Sequence, residues 1–132
     1  MAVGLSAVNL ANAWLNTMRG GGVGTTFTAP ATLFVQCHTA DPGAAGTTAV
    51  STGIATRTAL TQNAAAAGSQ AITSTISFTA TGADTITHIS VWSASSAGTF
   101  YYSAALSASK TVANGDTLNL TALTFALTPI AA

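Results

Sequence analysis

The sequence predicts a mainly β fold: an antiparallel β-sandwich, jelly-roll-like, led by one N-terminal α-helix, in a chain of 132 residues. Three observations carry that prediction. Residues 5–18 repeat apolar side chains every three or four positions, whereas the chain beyond Gly24 alternates apolar and hydroxyl side chains at the two-residue spacing of strands. Gly, Pro, Asn and Asp recur between those short runs, as turns require. Charged residues make up 5% of the chain against about 25% in ordinary soluble domains, so the sheet faces must be finished in Thr, Ser, Asn and Ala. A chain this long can bury about two thirds of its unfolded surface as one domain. The expected division is residues 1–24, a helix with a glycine hinge, and residues 25–132, the sandwich.

Leu5 to Met18 reads as the helix. Leu5, Val8, Ala11, Trp14, Leu15 and Met18 form its apolar stripe, Asn9, Asn12 and Asn16 its polar face, and Ser6 or Gly4 can begin it. Arg19 suits the negative end of the helix dipole, and Gly20-Gly21-Gly22 then stops the helix and frees the chain direction. Thr32 to His38 follows as a strand, with Leu33, Val35 and Cys37 on one side and Phe34, Gln36 and His38 on the other. Asp41-Pro42-Gly43 supplies a turn: Asp bonds onward backbone, Pro fixes φ and Gly permits positive φ. Ala44 to Gly53 reads as a surface loop of small residues, Ala55 to Thr61 as a strand, and the Ala64 to Ala67 run as a connection.

Ala71 to Ala80 alternates Ile72, Ser74, Ile76 and Phe78 against Thr73, Thr75, Ser77 and Thr79, one half-buried strand with a threonine outer face. Thr81 to Asp84 turns the chain into a strand from Ile86 to Trp92, and Ser93 to Gly98 makes a hairpin-like loop into Phe100 to Leu106. Asn114-Gly115-Asp116 is the strongest turn signal, leading to Thr117 to Leu120 and a last strand, Leu123 to Thr128. An edge position for that last segment would invite pairing with another chain.

Several function classes find little support. Three cations, Arg19, Arg57 and Lys110, form no basic stripe, which argues against phosphate-based nucleic-acid binding and against an anionic membrane surface. The lack of an uninterrupted run of about 18 apolar residues argues against a membrane-spanning helix. Met1 to Met18 lacks a basic n-region and is broken by asparagines, unlike a secretory leader. The single Cys37 leaves no intramolecular disulfide, and no Cys/His spacing resembles a zinc site, so no metal and no cofactor are expected.

For catalysis, His38 with Asp41 beside Cys37 is the one conceivable pair, and the expectation is that His38 instead ends a strand and caps the turn, leaving no catalytic residues. Asp41, Asp84 and Asp116 sit where turns explain them. Arg57, inside a predicted strand, needs a partner if buried, and Asp41 is the nearest candidate. Trp92, Phe100, Tyr101 and Tyr102 form a candidate aromatic patch for stacking a sugar; core or interface packing is the competing reading.

Taken in order, Ala11-Asn12-Ala13-Trp14-Leu15-Asn16, Thr28-Ala29-Pro30, His38-Thr39-Ala40-Asp41-Pro42-Gly43-Ala44-Ala45-Gly46 and Ala55-Thr56-Arg57 resemble a family of small bacteriophage virion proteins. Thr87-His88-Ile89-Ser90-Val91-Trp92 and Ser107-Ala108-Ser109-Lys110-Thr111-Val112 before Asn114-Gly115-Asp116 continue the resemblance. These proteins are tail-fibre-like and come from phages of actinobacteria and related hosts. The resemblance implies a non-enzymatic structural protein of the virion, assembled in the host cytoplasm and associated with the tail. A capsid decoration protein on the head exterior would have the same properties, and that alternative stays open. With no long repeat or heptad pattern, a fibre shaft is not expected. The expected partners are copies of itself, as a homotrimer, and other virion proteins, with a host-surface glycan or receptor as a further one. Leu5, Val8, Trp14, Leu15 and Met18 are the candidate assembly contacts, unless they cover a sheet of their own domain.

Overall fold

The computed structural model describes residues 3–19 and 27–127; the glycine hinge at residues 20–24 and the predicted end of the last strand at Thr128 lie outside them. Helical structure begins where the sequence allows it, at Ser6, whose hydroxyl accepts the Asn9 N–H at 3.2 Å. The first turn, Ala7–Ala11, is π-helical, with the Ala11 N–H donating five residues back to the Ser6 carbonyl at 3.0 Å, and it runs into α1, Asn12–Thr17. This widened turn displaces the expected stripe. Leu10, which the even spacing did not select, is buried, while Leu5, Val8, Leu15 and Met18 are exposed and Trp14 is half-buried.

The main sheet runs β2 (Thr58–Leu60), β1 (Leu33–His38), β5 (Asp84–Trp92), β6 (Phe100–Val112), antiparallel throughout. Its inward ladders are Val35–Val91–Tyr102 and Cys37–Ile89–Ala104, which follow the alternation predicted for β1. The second layer consists of two strand pairs, β4 (Ile76–Thr79) with β7 (Thr117–Leu120) and β3 (Ser69–Ala71) with β8 (Thr124–Ala126). Ile76 and Phe78 of β4 point into the core while Ser77 and Thr79 stay exposed, so β4 has the predicted hydroxyl face. Burying side chains such as Phe78, Ile86, Val35 and Val91 contributes about 1.5–3 kcal/mol each.

Two expectations about the chain path are corrected and a third is made specific. The predicted strand 71–80 is split, because the chain leaves its pairing with β8 at Ala71 and joins β7 only at Ile76. The alanine run is the tip of a hairpin: Ala66 and Ser69 exchange both backbone hydrogen bonds, and Ala67 and Gly68 have φ of 48° and 70°, as a type I′ turn requires. The strand predicted from Ala55 shrinks to Thr58–Leu60, leaving Arg57 outside it.

The third face of interest is the outer side of the main sheet. It carries Phe34, Trp92 and Phe100 in one row and Gln36, Ser90 and Ser103 in the next, and His38 beyond them. The segment read as a surface loop of small residues lies over this face: Gly46 sits on the Phe100 ring, and Pro42, Ser51 and Ile54 are buried. Its small side chains are what let the backbone come this close. Arg57 pins the arrangement, with its guanidinium 3.8 Å from the centre of the Trp92 ring and Nη1 donating to the carbonyls of Ala94 at 2.9 Å and Ala97 at 2.6 Å. Its Nε also donates to Gln36 Oε1 at 3.3 Å, so its partners are an aromatic face, loop carbonyls and the Gln36 amide, not the Asp41 suggested by sequence proximity.

Candidate assembly surface

The N-terminal segment reaches the sheet as a short extra strand. Ser6 N–H donates to Tyr101 O at 2.6 Å, Ser103 N–H donates to Gly4 O at 2.9 Å, and Asn9 Nδ2 donates to Phe100 O at 2.9 Å. These bonds cover the first residues of the β6 edge and fix the helix against it. Leu10 and Trp14 then face inward, Trp14 meeting Phe27 and Phe125 edge-on at 6.3 and 5.7 Å between ring centres. The inward side of the helix therefore covers its own domain. The outward side presents Val8 at 77%, Leu15 at 62% and Met18 at 77% exposure, beside the exposed Leu5.

Beyond Ser103, no strand among the described residues pairs with the free side of β6. The strand also bulges there: His88 pairs with Ala105 and Ile86 with Lys110, so Leu106, Ser107, Ala108 and Ser109 together oppose the single Thr87. An edge left unpaired presents free N–H and C=O groups to another chain, and Lys110 is the one charge set on it. Between this bulge and β7 opens a cleft of about 440 Å³ that reaches Cys37, Phe78 and Ile89 in the core. Burial pushes the Cys37 thiol up to about 12, so it stays protonated and unreactive.

The four aromatics expected to form one patch are all buried, and they part company on the sheet. Trp92 pairs with Phe100 and Val91 with Tyr102, which leaves Tyr101 as an extra bulged residue. Trp92 and Phe100 lie on the outer face under Arg57, whereas Tyr101 meets Phe27 and Tyr102 meets Phe125 beneath the helix.

The most elaborate polar arrangement was not legible in the sequence. His38 Nδ1 lies 2.8 Å from the Thr48 carbonyl and Nε2 lies 2.7 Å from Ser90 Oγ, which in turn accepts the Trp92 indole N–H at 2.7 Å. A carbonyl only accepts, so in the neutral imidazole Nδ1 carries the proton and Nε2 accepts from the Ser90 hydroxyl. A serine held by a histidine has the outline of a nucleophile and its base, yet His38 and Ser90 are fully buried and every polar atom is committed within the fold. His38 ends β1 as expected, with its ring turned to the Thr48 carbonyl rather than to the turn; of the conceivable companions, Cys37 points to the opposite face, and Asp41 Oδ1 accepts the Gly43 N–H at 2.8 Å.

The remaining polar clusters are structural. The Asp84 carboxylate accepts from the Ser51 hydroxyl at 2.8 Å and from the Thr52 and Gly53 N–H groups, which holds its pKa below 3.8. Asp116 Oδ2 accepts the Ala113 N–H at 2.8 Å within the predicted turn. Among the described residues, no group of three or more His, Cys, Asp and Glu gathers to hold a metal, and no helix is long and apolar enough to cross a membrane.

Burial depresses the His38 pKa from 6.5, with a consequence for stability. Between the depressed value and 6.5 the unfolded chain binds a proton that the folded one refuses, so folding loses stability as pH falls through that window. The urea midpoint is expected to be highest above pH 6.5 and to drop towards pH 5, before the Asp84 contribution is lost below 3.8. A midpoint unchanged between pH 7.5 and about 5 would contradict this assignment.

No curated protein matches the sequence. The chain does match a family model described as podophage GP4 fiber I protein gp80 over residues 5–128, a span that takes in the capped helix, β1 to β8 and every motif noted above. With nearly the whole sandwich covered by that match, the chain belongs to this family of phage fibre proteins.

Proposed function

We propose that the protein is a non-enzymatic, tail-associated structural component of the virion that assembles with copies of itself, as a trimer, through the outward helical face and the free edge of β6. The observation that carries this reading is the exposure of Val8, Leu15 and Met18 on one short helix whose opposite side is already packed. Large apolar side chains grouped on a surface mark a partner. The scarcity of charge acts in the same direction, since six charged side chains with a formal net charge of zero give copies little mutual repulsion. Contacts to other virion proteins would use the same uncharged faces, with assembly in the host cytoplasm before release. A decoration protein on the head exterior would share this surface chemistry; the fibre family weighs for the tail. The motif resemblance adds an actinobacterial host.

Light scattering on the full chain tests the assembly reading. The wild type is expected to scatter with the mass of an oligomer, and Val8→Ser combined with Leu15→Ser and Met18→Ser is expected to weaken association by at least about a hundredfold, because each side chain contributes about 1 kcal/mol or more when buried. The thermal midpoint of the variant monomer should stay close to that of the wild type, since these side chains are exposed within the subunit. A wild type that remains monomeric at high micromolar concentration, or a variant that associates equally well, would remove the proposal.

A further inference from the structure

The segment lying over the outer face of the main sheet, residues 39–50, carries a strained residue beside the point where a histidine holds it. Ala49 has φ of 52°, a left-handed conformation that disfavours any residue with a Cβ. The carbonyls flanking that bond both turn towards the end of β1. Thr48 O accepts from His38 Nδ1 at 2.8 Å, and Ala49 O accepts the Thr39 N–H at 2.9 Å and the Thr39 hydroxyl at 3.3 Å. Strain of this kind persists only where the surrounding bonds enforce it. The far end of the segment is held separately. There the Asp84 carboxylate accepts from the Ser51 hydroxyl and from the Thr52 and Gly53 N–H groups, and its pKa below 3.8 keeps this clamp intact in mild acid.

His38 is fully buried beneath the segment, and the covered site has no place for a second ring proton. With Nδ1 donating to Thr48, a proton on Nε2 would reverse the bond to Ser90. Ser90 Oγ would then accept from both His38 and the Trp92 indole, and its own hydrogen would lose its acceptor. The titratable groups that face the ring do not welcome the charge either. His88 lies directly across from it on β5, and Arg57 reaches over Trp92 from the residues before β2. Both repel a cation when charged. Asp41, the carboxylate of the covering segment, accepts the Gly43 N–H through Oδ1. Burial first, and then His88 and Arg57, hold the His38 pKa below 6.5 against the opposing effect of the Thr48 bond.

Residues 39–50 belong to none of β1 to β8, so their lifting leaves the strand ladders standing. We propose that they form an acid-operated cover: in mild acid His38 takes up a proton, the segment lifts about its clamp at Ser51 to Gly53, and the His38–Ser90 pair and the Phe100 ring beneath Gly46 become accessible while the sandwich stays folded. The lifted form binds the proton with the ordinary histidine pKa of 6.5 and the covered form refuses it, so the lifted population rises about tenfold for each pH unit below 6.5. Release of the left-handed Ala49 favours the same direction at every pH. The cover uses none of the residues of the assembly surface, and failure of either proposal leaves the other standing.

Hydrogen exchange of the full chain at about pH 7.5 and about pH 5, corrected for the intrinsic rate of exchange, tests the cover. The amides of residues 39–50, among them the Thr39 N–H bonded to Ala49 O, should be at least about tenfold less protected than those of the β1–β5 ladder at both pH values. Their protection should fall about 10- to 30-fold between the two. His38→Gln, which has no ring to protonate, should abolish that fall. Ala49→Gly keeps the histidine and removes the left-handed penalty, so it should raise protection about 2- to 10-fold at both pH values with the same dependence on pH. Where His38→Gln does not fold, the wild type and Ala49→Gly decide. Protection of residues 39–50 equal to that of the ladder would overturn the proposal, because the segment would then open only with the whole fold. So would protection that is unchanged by acid, a pH dependence that survives His38→Gln, or an Ala49→Gly chain protected no better than the wild type.

Discussion

Replacing Ser90 with alanine is expected to destabilise the protein by about 2–5 kcal/mol, out of all proportion to the single oxygen removed. Ser90 Oγ is the shared partner of two buried groups, His38 Nε2 at 2.7 Å and the Trp92 indole N–H at 2.7 Å. Without it an acceptor and a donor are left unpaired where water does not reach, each at a cost of about 1–3 kcal/mol. For a domain of this size the thermal midpoint should fall by roughly 8–20 °C. The oxygen's role can be separated from packing by a double-mutant cycle with Trp92→Phe, which removes the donor along with its need for a partner. The double mutant should then lose less than the sum of the two single losses, by at least about 0.5 kcal/mol. Additive losses, or a Ser90→Ala midpoint within about 2 °C of wild type, would show that the three side chains do not act as one network.

That network also marks the limit of what the sequence discloses. Face assignment within a strand needs only the two-residue period, and it succeeds for β1, where Val35 and Cys37 face the core, and for β4, where Ile76 and Phe78 do. Turns with a local mechanism are equally legible: Asp41 bonds the Gly43 N–H, and Asp116 closes on Ala113. The meeting of His38 with Ser90, 52 residues apart in sequence, depends instead on the register between β1 and β5, and no local pattern encodes it.

The helix gives a second instance. Its existence and its Ser6 cap follow from local signals, but the buried side was assigned on an even 3.6-residue period that the π turn at Ala7–Ala11 breaks. The apolar residues of the candidate assembly surface were therefore identified by type, while their outward direction came from the structure. Trp14 alone among them turns inward against Phe27 and Phe125. The Gly46 segment was misread for a related reason: small side chains suit an exposed loop, and they equally suit a backbone that must lie flat on an aromatic ring.

Gly46→Ala accordingly should destabilise the fold by about 2–5 kcal/mol, although it adds one methyl group. Two effects combine. Gly46 has φ of 72°, a left-handed conformation that costs a residue with a side chain roughly 1–2 kcal/mol. A Cβ there would also run into the Phe100 ring, lying 2.7 Å from its Cγ and 2.9 Å from its Cε2. The ring has little room to retreat, because Trp92 stands behind it at 5.5 Å between centres and Arg57 covers Trp92 in turn. Overpacking of this kind costs about 1–3 kcal/mol more. Gly115 provides the matched control, with φ of 90° and nothing within 4 Å of its would-be Cβ, so Gly115→Ala should carry the backbone cost alone. A denaturant midpoint reduced clearly further by Gly46→Ala than by Gly115→Ala is expected, together with greater solvent access to Trp92 as the covering segment lifts. Equal losses at the two glycines would mean that the segment can move off Phe100 at no cost, and that the outer face of the sheet is not held closed by it.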